Sequence, residues 1–163
     1  MSNLKTNIAR EEKATKWMWD TTNSNSGSTG YVYKYKITND GYDLDAEVQK
    51  YELDILDYPN LMMSPIQSVY QESKVRDFKS DKYTTLILEK YKADKLLSKG
   101  QGNLYSNFCK DAVVTFRITD QLLEKSNLTV MNLPSCSSSD LNNSKRKKEV
   151  YLIPVRFGSK KSY

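Results

Sequence analysis

The sequence predicts an α+β fold, a single domain with N-terminal and central helices packed on a mostly antiparallel sheet and with a β-rich C-terminal third. Three observations predict it. Apolar and polar residues alternate strictly at 31–38 and again in three stretches after residue 112. Helix signals occupy the N-terminus and the run 90–97, which has Gly100 behind it. A chain of 163 residues is the length of one domain, enough to bury about 68–70% of its unfolded surface.

Residues 1–20 form the first helix. They mix Lys, Arg, Glu and Ala and end on the aromatic cluster Trp17-Met18-Trp19, which suits a helix with that end docked on the domain. Residues 21–30, TTNSNSGSTG, hold no apolar side chain, and their Ser, Asn and Gly compete with regular structure, so a flexible linker or loop is expected there. The domain proper is then 31–163.

Its first strand is 31–38. Tyr31, Tyr33, Tyr35 and Ile37 share one face, which is expected to be core, and Lys34 and Lys36 share the other with Val32 and Thr38. Asn39-Asp40-Gly41 supplies a turn. Residues 42–58 fit two patterns. As a strand, Tyr42, Leu44, Ala46 and Val48 alternate with acids and then slip phase. As a helix, Leu44, Val48, Tyr51, Ile55 and Tyr58 fall on one stripe ahead of Pro59. Ser64-Pro65-Ile66-Gln67 has the form of a helix start, with a helix expected through Phe78. The stretch 83–91 begins β-like and becomes helical, the helix ends before Gly100, and 100–111 is expected to be a loop.

Three C-terminal strands follow, around Val114, Val130 and Ile153. Pro154 cannot donate to a ladder, which predicts that the last is an edge strand. The polar stretch 135–148 between the second and third is expected to be a disordered basic loop.

Composition excludes whole classes of chemistry. The chain has no histidine, so Ser-His-Asp triads, Cys-His pairs and HExxH zinc sites are closed to it. Cys109 and Cys136 make no CxxC pair and are expected to be reduced thiols. No secretory signal, membrane span or cofactor motif is expected. Asn39-Asp40-Gly41 lacks the spacing of a calcium loop, and Gly100-Gln101-Gly102 lacks that of a phosphate loop.

Charge is segregated. The net charge of +5 divides into an acidic segment, 40–57, with seven acids and one base, and a basic C-terminus, 144–163, with seven bases and one acid. Lys145-Arg146-Lys147-Lys148 matches a nuclear-import signal or a phosphate-binding finger. Lys34, Lys36, Lys145, Arg146, Lys147, Lys148 and Arg156 are the candidate nucleic-acid or anion ligands. Trp17, Trp19, Asp43, Asp45 and Glu47 are the candidate partner-docking residues. Together these features predict a non-enzymatic adaptor or structural subunit of an intracellular assembly, placed in the nucleus with the cytoplasm as the alternative, whose partners are other protein subunits. The alternative is a nucleic-acid-binding module, OB-like or another open sheet, that takes DNA or RNA.

Overall fold

The tyrosine-rich alternation does begin the sheet. Strand β1 (Tyr31–Ile37) pairs antiparallel with β2 (Ala46–Glu52), and β2 pairs antiparallel with β3 (Gln67–Val75). The computed structural model describes residues 2–24, 31–38, 45–52, 65–134 and 145–163. After β3 come β4 (Thr85–Glu89), helix α2 (Lys90–Ser98), β5 (Asn103–Phe108), β6 (Ala112–Ile118), the short helix α3 (Asp120–Glu124), β7 (Asn127–Pro134), β8 (Lys145–Pro154) and β9 (Ser159–Ser162). Helix α1 (Ser2–Ser24) precedes them all.

Two sheets result, and the fold is α+β. The larger has the order β1-β2-β3-β5-β6-β9, antiparallel except for the parallel pair β3–β5. A parallel pair needs a long crossover, and here the crossover carries β4 and α2. The smaller sheet, β4-β8-β7, is antiparallel throughout.

The larger sheet is the middle layer, because its alternate residues feed two cores. On one face Trp19 of α1 packs with Ala46, Val48 and Leu104, flanked by Met18, Tyr33, Tyr35, Ile37 and Val69. On the other, Tyr105, Val114, Phe116 and Ile118 meet Ala93 and Leu96 of α2, Leu123 of α3, and Leu86, Leu88 and Ile153 of the smaller sheet. Gly158 lies where the chain turns from β8 to β9, with Val114 and Phe116 so close that a Cβ would stand 2.8 Å from Val114 Cγ1.

Several expectations are overturned. Residues 21–24 are the last turn of α1, not a linker. Thr22 and Ser24 donate their hydroxyls to the carbonyls of Met18 and Asp20 four residues back, and the Asn23 amide pairs with both backbone groups of Tyr33. Of the two patterns that 42–58 fits, residues 46–52 take the strand, with an unbroken register against β1, and 42–44 and 53–58 lie outside the described residues. Residues 67–75 are strand as well. The Ser64-Pro65 signal is local, whereas β2 pairs with 67–71 and β5 with 71–75, so the strand is held by ladder bonds along its whole length.

Segment 103–108, expected to be loop, is a central strand with all six residues buried. Its polar side chains misled because they bond inside. Asn103 donates to the carbonyls of Leu96 and Gly100, and Ser106 bonds Thr115. Residues 145–148 begin β8 rather than forming a disordered loop, and 135–144 lie outside the described residues. Strand β8 is central, not an edge, and Pro154 is tolerated at its last position, past the reach of β7. Val155–Phe157 form a 3-10 turn.

Candidate functional site

The site begins where β2 starts. The β2–β3 register ends at Ala46 opposite Gln71, so Glu72 to Val75 run on with only β5 beside them. A strand edge left open inside a fold exposes backbone donors that must find partners. Asp45 supplies one, its Oδ2 accepting the Ser73 N–H.

Helix α1 closes the same opening. Glu11, Thr15 and Trp19 recur every four residues and so share one stripe. Thr15 Oγ1 lies 2.8 Å from Ser73 Oγ, and Trp19 Nε1 donates to Gln71 Oε1 at 2.9 Å. That alignment brings the Glu11 carboxylate to Lys74, with Nζ 3.4 Å from Oε1. Helix α2 contributes Lys92, whose Nζ donates to Glu72 Oε2 at 2.9 Å. Lys74 Nζ also stands 3.4 Å from Glu72 Oε1, an oxygen that accepts no hydrogen bond although its residue is fully buried.

Three carboxylates (Glu11, Asp45, Glu72) thus meet two ammonium groups (Lys74, Lys92) from four separate elements or their flanks. The imbalance appears in the titration. Burial, and then the charge of Glu72, pushes Asp45 up to about 7 despite the Ser73 hydrogen bond. Burial likewise raises Glu11. Burial is the largest single influence on Lys74 and Lys92 and would lower both. The summed attraction of Glu72, Glu11 and Asp45 at Lys74, and of the charge and hydrogen bond of Glu72 with Tyr91 and Asp45 at Lys92, outweighs it, so both are raised and remain charged. The cluster opens to solvent at Lys74, a quarter of whose side chain is exposed, and at the rim Lys92 Nζ lies 5.6 Å from the ring centre of the exposed Tyr91.

Among the described residues, no three Asp, Glu, His or Cys side chains close on a single cation position. Mg²⁺ does not require three, since it is held through one or two carboxylates with water and substrate phosphate completing the octahedron. Glu72, whose Oε1 accepts no hydrogen bond though Lys74 Nζ stands 3.4 Å away, and Asp45 carry hard oxygen donors of that kind.

The residues expected from sequence are scattered. Lys34 lies over the Tyr51 ring, 4.8 Å from its centre, and Lys36 sits opposite Glu47 on the exposed face of β1–β2. Lys145, Arg146 and Lys147 are exposed at the start of β8, and Lys148 pairs with Glu89 at 3.0 Å. Arg156 stands over the Phe157 ring on the 3-10 turn. Of the docking set, Trp17 is 37% exposed and packs edge-on against Tyr163. Trp19 is buried in the core, which removes it from any docking surface, and so is Asp45, which serves the open edge of β3. Glu47 is half-buried beside Gln49, and Asp43 lies outside the described residues.

Sequence reasoning missed Glu11, Glu72, Lys74 and Lys92. The available signal was Glu72-Ser73-Lys74, an acid and a base two apart and so on one side of a strand. Assigning 64–78 to a helix concealed it.

Models of known families, curated proteins and solved structures return no match to this chain. Among the described residues no helix is long and apolar enough to cross a membrane.

Proposed function

We propose that this chain hydrolyses phosphodiester bonds of nucleic acid with the help of a divalent cation held at Glu72 and Asp45. What supports it is the convergence of Glu11, Asp45, Glu72, Lys74 and Lys92 on the open edge of β3, with one carboxylate in excess. A bound divalent cation would lower the pKa of a water and neutralise phosphate oxygens. Lys74, held charged, is unsuited to taking a proton. It stabilises the negative charge that grows on the phosphoryl oxygens in the transition state. Glu11 positions Lys74. Asp45 titrates near neutrality, so loading the cation displaces its proton. The basic surroundings of the site suit a polyanion: residues 74–110 hold nine bases and four acids.

The test is incubation of the chain with linear, circular and single-stranded DNA and with RNA, in Mg²⁺, Mn²⁺ or EDTA. Cleavage should require the cation and fall about 100-fold or more in Lys74→Met and Glu72→Gln, with thermal melting run beside each to show that it folds. Absence of cleavage on every substrate, together with a melting temperature indifferent to Mg²⁺ and Mn²⁺, sinks the proposal.

A second reading is the non-enzymatic adaptor of an intracellular, nuclear assembly. The observation in its favour is the Trp17–Tyr163 pair, whose rings lie 5.0 Å apart on the surface, the kind of aromatic anchor that carries protein–protein contacts. Trp17→Ala should then abolish capture of a protein partner while leaving any cleavage intact.

A further inference from the structure

Strand β4 pairs with β8 only over residues 150–154, whereas β7 pairs with β8 from Lys145 to Leu152. The first five residues of β8, Lys145 to Glu149, and their partners Val130 to Pro134 therefore form a two-stranded ribbon with no third strand among the described residues. At about 3.3 Å per residue it extends about 17 Å from the smaller sheet. Lysine and arginine stand on both of its faces, because successive residues point to opposite sides. Lys145 and Lys147 share a face with Val130 and Asn132, while Arg146 points to the other with Met131 and Leu133. Lys145, Arg146 and Lys147 are exposed and make no ion pair among the described residues. Val130 is 57% exposed.

The ribbon is rooted beside the carboxylate–lysine cluster. Its base is tied by Lys148 to Glu89, the last residue of β4. Glu89 leads directly into α2, whose first turn carries Lys92 and its contact with Glu72.

We infer that this ribbon is a duplex-DNA-binding arm that enters the major groove and holds the backbone for the cluster. The inference rests on the hydrolase reading for its purpose but not for its chemistry. The major groove of B-form DNA, about 12 Å wide, admits a two-stranded β-ribbon. Cations on both faces meet phosphates on both walls of a groove, whereas a flat anionic surface engages one face alone. Asn132 has the amide that pairs with an adenine edge, and Val130 beside it offers an apolar contact for a thymine methyl. The deep, narrow major groove of A-form RNA excludes such a ribbon.

The decisive experiment is fluorescence anisotropy of the full chain with a DNA duplex of about two helical turns in EDTA, at several salt concentrations, so that no cleavage is involved. The wild type should bind. The variant Lys145→Gln/Arg146→Gln/Lys147→Gln should bind at least about 10-fold more weakly, and its slope of log affinity against log salt should be shallower by about 2–3, the change expected when up to three phosphates are no longer neutralised. Lys145→Arg/Lys147→Arg should keep the binding, and the circular dichroism of all three proteins should agree. Equal affinity of wild type and triple variant overturns the inference, as does no binding to the duplex. It is equally overturned by a preference for single-stranded DNA or double-stranded RNA, or by polyglutamate displacing the duplex at equal charge, which would mark the arm as a dock for acidic protein. Duplex binding that depends on the arm, without cleavage under any cation, would retain the arm and discard the hydrolase.

Discussion

Asp45 carries more consequence than any other single residue, because one carboxylate satisfies a backbone N–H and is also the acid that unbalances an otherwise even set of two carboxylates and two ammonium groups. Its folded pKa of about 7 lies above the ordinary value of 3.8. Between those values the unfolded chain is ionised and the folded chain holds the proton. Stability contributed by Asp45 is therefore full below about pH 4, falls as pH rises toward 7, and is flat above. Each unit of displacement is worth about 1.4 kcal/mol. Asp45→Asn keeps an oxygen for Ser73 and cannot ionise. It should be near neutral at about pH 4.5, stabilising by about 1–3 kcal/mol at about pH 8, and should flatten the slope between; urea unfolding at both pH values checks this. A variant that follows the wild-type slope would mean that another group titrates. With no histidine in the chain, the usual source of such a slope is missing. Divalent cation favours the ionised carboxylate, so it should raise the wild-type melting temperature more at about pH 8 than at about pH 5 and should lose that effect in Asp45→Asn.

At the scale of elements, α1 holds the site together through the stripe Glu11, Thr15 and Trp19. Trp19→Phe preserves most of the ring but strips the donor from Gln71 Oε1, a buried acceptor. It should lower stability by about 1–3 kcal/mol, the usual cost of an orphaned buried polar group, seen as a shift in the urea midpoint with no change in slope. Helix α1 was legible in sequence because its composition is helical, although its last turn was not, since TTNS reads as a linker until Asn23 finds the backbone of Tyr33. Strands β1, β6 and β7 and the second half of β8 were legible because β-type residues alternate along each, whereas the basic start of β8 read as a loop. Strands β3 and β5 were not. Both carry Gln, Glu, Ser or Asn into the interior, and a polar residue in a sequence does not disclose that its partner lies far along the chain, as Asn103 lies 33 positions from Tyr70. The site was illegible for the same reason, since its carboxylates and lysines look like a solvated surface until the fold buries them together.

At the scale of the whole molecule, the layers form a sheet with a helix on one face and a mixed second layer on the other, so each core depends on the middle sheet. Among the described residues, the parallel pairing of β3 with β5 is the one strand pairing that joins the β1–β3 meander to the rest of that sheet. Local hairpins can close before it, but this pairing waits for the β4–α2 crossover, and loop closure of that kind is slow. Trp19 and Gln71 are 52 residues apart, and Glu11 and Lys74 are 63 apart. Refolding monitored by Trp fluorescence and by pulse-labelled hydrogen exchange should therefore protect the β1–β2 amides before those of β3 and β5; simultaneous protection would refute that order. A nascent chain that has passed Lys92 but not Asn103 carries all five charged residues of the cluster and still lacks the strand that fixes two of them. During synthesis the arrangement of the cluster is therefore completed only once β5 has emerged and docked beside β3.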